Sequence, residues 1–103
     1  MAYKEKRREE RYNVDLVGMV VPADEIMKII DVSLHGISVV GASELEVDHS
    51  VDITISIDDI SVSVNAVVRN SIIWDGDYRY GMEISSPSVS WMDIVYSQMK
   101  RNR

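Results

Sequence analysis

Two short stretches carry the side chains best suited to bind something. The first is Lys6-Arg7-Arg8-Glu9-Glu10-Arg11, and the second is Asp31-Val32-Ser33-Leu34-His35-Gly36, set between two apolar runs. Arginine presents a planar fork of donors and a flat cationic face. It can clamp a phosphate, grip the O6 and N7 edge of guanine, or stack on a base. An aspartate can accept from guanine's ring N–H and exocyclic amine, and a serine hydroxyl both donates and accepts. Arg7, Arg11, Asp31 and Ser33 together therefore suit a ligand with both phosphates and guanines. Each stretch also has a plainer reading. Arg-x-x-x-Arg in a charged arm is commonly a solvated tail. Asp-x-Ser-x-x-Gly is commonly a turn whose acid and hydroxyl cap backbone N–H groups while the glycine supplies a positive φ. The order of the two, one on an arm and one between strands, favours binding.

Catalytic sets are missing by comparison. The chain has two histidines, His35 and His49, and no cysteine, and the histidines lack metal-ligand spacing. Asp58 and Asp59 are neighbours that point to opposite faces of a strand and read as a polar hairpin turn. Asp75-Gly76-Asp77 is too short for a calcium loop, which spreads its ligands over about twelve residues. No glycine-rich phosphate loop precedes the helical stretch. The chain reads as a non-enzyme without metal or cofactor. Arg69 and Arg79 read as surface charges on wet strand faces, Trp74 and Trp91 as core or barrel-end packing, and the Tyr and Met stripe of the last strand and helix as core.

The elements that must position these residues are legible from periodicity. Residues 1–12 read as a flexible basic arm, and 13–103 as one domain. Val14 to Val21 is β-branched and forms a first strand, with a possible bulge at Gly18. Ile26 to Val32 and Gly36 to Val40 flank the Asp31 stretch. Val51, Ile53, Ile55 and Ile57 alternate with polar residues. Ile60, Val62, Val64 and Ala66 do the same across the Asp58-Asp59 turn. This last run continues towards Trp74, and Tyr78 to Ile84 is a final strand after Asp75-Gly76-Asp77. Ser86-Pro87 suits a helix start, with a helix over about 87–100 whose apolar face is Val89, Met92, Val95, Tyr96 and Met99. The expected fold is all-β: a six-stranded antiparallel β-barrel with one C-terminal α-helix.

Composition narrows the partners. The net charge is −6, with the basic residues crowded at the two ends and acid between them. Such a body repels DNA and RNA, although a few aimed arginines can still hold a small anion. No apolar run approaches the roughly 18 residues of a membrane span, and the charged N-terminus lacks a signal peptide's apolar stretch. With no cysteine, a cytoplasmic location and no membrane insertion are expected.

In these residues the chain resembles the PilZ domain family. That family carries Arg-x-x-x-Arg in an N-terminal arm, here Arg7 to Arg11. It then carries Asp/Asn-x-Ser-x-x-Gly at a strand junction, here Asp31, Ser33 and Gly36. Tyr78 to Ile84 also resembles the family's closing strand, so the likeness runs from Arg7 to the final helix. The resemblance implies a six-stranded barrel with a C-terminal helix and binding of cyclic di-GMP, a bacterial second messenger. Arg7 and Arg11 would wrap the ligand, with Arg8 adding charge. Asp31 and Ser33 would bind the guanine edge, and Gly36 would keep the turn tight and admit the ligand. A receptor of this kind acts on an unidentified protein partner in trans, with motility, secretion or exopolysaccharide synthesis as outputs. The alternative is a ligand-independent adaptor of the same fold, against which the intact arginines and Asp31 argue.

Overall fold

The computed structural model describes residues 9–101. Six antiparallel strands are followed by one helix: β1 (Tyr12–Val21), β2 (Glu25–Ser33), β3 (Gly36–Gly41), β4 (Ser50–Ile57), β5 (Ile60–Trp74), β6 (Asp77–Glu83) and α1 (Val89–Arg101). The strands close into a ring in the order β1-β2-β3-β6-β5-β4. Period-two alternation explains the closure. Val51, Ile53 and Ile55 of β4 point inward and meet Ala66, Val64 and Val62 of β5. Outside, hydroxyls pair across the same strands, Thr54 with Ser63 at 3.0 Å and Ser56 with Ser61 at 3.1 Å. The interior is filled by branched aliphatic side chains, with Tyr80 and Trp91 the largest buried groups.

The hairpin turns follow from backbone chemistry. Asp58 and Asp59 have φ of 49° and 69°, and Asp75 and Gly76 have 55° and 85°. Two-residue hairpins need left-handed conformations, which Asp and Gly tolerate best. Tyr80 braces the β3–β4 connection: its hydroxyl donates to the Ser43 carbonyl at 2.9 Å and accepts from the buried Leu45 N–H at 2.7 Å.

Four expectations are corrected. Gly18 is not a bulge; it pairs in register with Met27 and Ile55, and the β1–β2 irregularity lies between Asn13 and Leu16. A β-carbon at Gly18 would stand 2.8 Å from Ile53 Cγ2, so packing inside the barrel is what demands glycine there. The helix is capped by Ser88, not Ser86, because the Ser88 hydroxyl reaches the Trp91 N–H at 3.1 Å. Its buried side is also rotated from the expected one. Trp91, Ile94, Val95 and Gln98 face the barrel, while Val89 and Tyr96 are 71% and 52% exposed. Trp74 is not core: it is 49% exposed near the tip of the β5–β6 hairpin, whereas Trp91 is fully buried. No helix among the described residues is long and apolar enough to cross a membrane.

Candidate functional site

The site grows from the β2–β3 hairpin. Ser33 pairs with Gly36 across the turn residues Leu34 and His35. Pairing of Tyr12 with Val32 carries Arg11, the residue just before β1, alongside this hairpin. Arg11 then folds onto the barrel wall. Its Nε and Nη2 donate to Asp31 Oδ1 at 2.9 and 2.7 Å, and Nη2 also donates to Ser38 Oγ at 3.2 Å. Arg11, Asp31, Ser33 and Gly36 are thus brought together. Arg7 and Arg8 lie outside the described residues.

Two local roles differ from the turn reading. Asp31 does not cap the turn: it sits within β2 opposite Ser38, and its carboxylate serves arginine. Gly36 is not in the left-handed region; Gly76 is the described glycine with positive φ. Gly36 is needed for space instead. A β-carbon there would lie 2.9 Å from Arg11 Nη1 and 3.0 Å from Ser33 Oγ.

Ser33 is 1% exposed, and its Oγ has no hydrogen-bond partner among the described residues. A buried hydroxyl left unpaired costs about 1–3 kcal/mol. Ser33 lines a cleft together with Glu9, Arg11, His35, Gly36 and Asn70. Glu9 closes one side. Its carboxylate accepts from the His35 backbone N–H at 2.9 Å and meets the ring Nδ1 at 2.7 Å. Burial pushes the Glu9 carboxyl up, but hydrogen bonding to His35, the nearby Ser33 hydroxyl and attraction to the imidazole together hold it below the usual range. Ser33 Oγ contributes by proximity, without the geometry of a hydrogen bond.

Strand order brings in residues read above as plain surface. Arg79 Nη2 lies 3.8 Å from Asp31 Oδ2, and its guanidinium carbon stands 5.1 Å from the centre of the Trp74 ring. Arg79 is therefore no isolated surface charge, and Trp74 offers a half-exposed aromatic face beside it. Arg69 also lines the cleft, bonded to Glu83 at 2.8 Å and Asp48 at 3.2 Å. Asn70 Oδ1 accepts from the Gly81 N–H at 3.1 Å. The signal for these lay in register. Asp31 pairs with Ser38, Ser38 with Gly81, and Gly81 with Asn70. Arg79, two residues before Gly81, shares that outer face. Among the described residues, no three His, Asp or Glu side chains converge as a metal site.

Comparison with known proteins agrees with this fold. No curated protein matches the chain. Among solved structures, the Bacillus subtilis inhibitor of motility (MotI/DgrA) superposes with a TM-score of 0.79 at 18% identity over 94% of this chain. The chain spans 51%, about half, of that protein's length. The PilZ domain of YcgR from Escherichia coli, solved with cyclic di-GMP, superposes with a TM-score of 0.69 at 14% identity over 95% of both chains. The family model for the PilZ domain matches residues 5–93. PilZ domains are non-catalytic receptors. With a six-stranded ring, a terminal helix and a family match over most of its length, the chain belongs to the PilZ domain family.

Proposed function

We propose that this chain is a bacterial, cytoplasmic receptor for cyclic di-GMP. Arg7, Arg8 and Arg11 of the arm and Asp31, Ser33 and Gly36 of the β2–β3 hairpin are its ligand-binding residues. The reading rests on one observation above all: Ser33, whose buried hydroxyl has no partner among the described residues, lines a cleft beside Arg11, the same arginine that holds Asp31. Arginine supplies the phosphate clamp, and Asp31 supplies acceptors for guanine's N–H groups. Trp74 under Arg79 adds a flat surface for a base. Ligand binding draws the arm over the barrel wall, and the altered surface is what a partner protein reads in trans. A ligand shifts such an equilibrium only through its higher affinity for one arm position.

Calorimetric titration with cyclic di-GMP, with GTP and cyclic di-AMP as controls, tests this. Saturable heat that disappears in Arg11→Ala supports a receptor, and the stoichiometry counts the ligands. No heat and no thermal shift at high ligand would replace the receptor with a ligand-independent adaptor.

A further inference from the structure

The wall between the β4–β5 hairpin and α1 holds a second concavity that shares no residue with the Arg11–Ser33 cleft. We propose that it is a docking groove for a partner protein's segment that carries an apolar anchor flanked by Lys or Arg. The proposal does not depend on the nucleotide.

The shape comes from the sequence. Ser90, Asp93, Ile94 and Ser97 fall at helical spacing and form one stripe of α1. The two serines are small, so the stripe leaves open space around Ile94. Opposite, Ile57 pairs with Ile60 across the Asp58-Asp59 turn, so both point the same way. Val62 and Ile94 form a nearly buried floor, while Ile60 is 63% exposed at the lip. The cavity between them measures about 320 Å³. That is near the lower end of the ~300–1,000 Å³ of ligand pockets, room for one or two apolar side chains.

Charge selects the occupant. Asp58 and Asp93 line the groove, Asp59 adjoins it, and none of its lining residues is basic. Among the described residues none of these three aspartates has an ion-pair partner. An apolar floor with an unneutralised acidic rim is matched by an apolar side chain between cations, and it disfavours an acidic segment. α1 also joins the two sites. Its Trp91 Nε1 donates to the Leu34 carbonyl at 3.0 Å, in the turn between Ser33 and Gly36.

The probe is a synthetic helical peptide with a central Leu-Leu pair flanked by lysines, titrated into the full chain and followed by amide NMR shifts and fluorescence anisotropy. Two control peptides replace the leucines by alanine or the lysines by glutamate. The expected result is saturable shifts confined to 57–62 and 90–97. Affinity should fall about tenfold or more in both control peptides, in Asp93→Lys and in Ile60→Ser. All altered protein side chains are exposed, and unchanged far-UV circular dichroism checks the fold. Shifts centred elsewhere, equal binding by Asp93→Lys, or no binding up to about 1 mM would overturn the proposal. Concentration-dependent shifts at these residues without peptide would also overturn it, assigning the groove to a second copy of the chain.

Discussion

Arg11 grips a single oxygen of Asp31 with two nitrogens, at 2.9 and 2.7 Å. Two of the residues proposed to hold the nucleotide therefore already hold each other. Ligand entry exchanges this ion pair for contacts to phosphate and guanine, so the pair sets part of the affinity. The arginine is about half exposed to solvent, and pairs so screened stabilise by about 0–1 kcal/mol. Arg11→Ala should thus abolish or strongly weaken cyclic di-GMP binding while the melting temperature stays nearly constant. Arg11→Lys keeps the charge but loses the planar fork, and should bind at least about tenfold more weakly than the parent. Normal affinity in both variants would sink the site. Asp31→Ala removes no turn cap, so its stability cost should also stay within about 1 kcal/mol.

Gly36 separates space from backbone conformation. Its φ is not positive, so alanine meets no backbone strain. The new methyl would nevertheless press on Arg11 Nη1 and Ser33 Oγ. The arginine end can swing away, so Gly36→Ala should cost about 1 kcal/mol or less in thermal unfolding. Binding should fall much more, because the same methyl displaces Arg11 and covers the hydroxyl. Equal losses of binding and stability would point to a turn requirement instead.

The Glu9–His35 contact makes the arm's root sensitive to acid. The Glu9 carboxyl lies below its ordinary value of 4.5 when docked, so the docked state binds fewer protons than the free arm. Its contribution is complete above that ordinary value and fades as pH falls through the lowered one. As pH falls below the ordinary carboxyl value, the His35 amide, bonded to Glu9, should shift in the NMR spectrum as the contact breaks. Glu9→Gln should remove that titration. A titration that persists in Glu9→Gln would show another group to be responsible.

Tyr80→Phe keeps the ring and deletes the hydroxyl that serves Ser43 and Leu45. A buried Leu45 N–H is then left without its acceptor, at a cost of about 1–3 kcal/mol. Denaturant unfolding should register this loss with little change in ligand affinity.

Ser88→Ala should destabilise the domain by about 1 kcal/mol through the lost Trp91 cap, and Ser86→Ala should be nearly neutral. Thermal melts of the two variants decide which serine starts the helix.

Legibility in the sequence followed physical locality. β4 and β5 were readable because each has one wet face, and alternation of apolar and polar residues records that directly. The turns at Asp58-Asp59 and Asp75-Gly76 were readable because backbone handedness is a local demand. Asp31 and Ser33 were readable as a motif, and Gly36 too, but for the wrong reason: its crowding by Arg11 exists only once β1 and β2 pair. Gly18 was misread similarly, since its neighbour Ile53 comes from β4. Arg79 and Trp74 were missed because nothing local reveals that β6 and β5 follow β3 around the ring. The helix cap slipped by two residues because Ser86 and Ser88 are equally good acceptors. Tertiary contact of Trp91 with Leu34 is what distinguishes the turn that forms.

The closed ring has one more consequence. A sheet with free edges can recruit another protein by adding its strand, using backbone hydrogen bonds that are largely indifferent to sequence. Here each of the six strands has neighbours on both sides. Over these paired stretches a partner must be recognised through side chains, so discrimination there rests on a few surface residues that can diverge without disturbing the barrel.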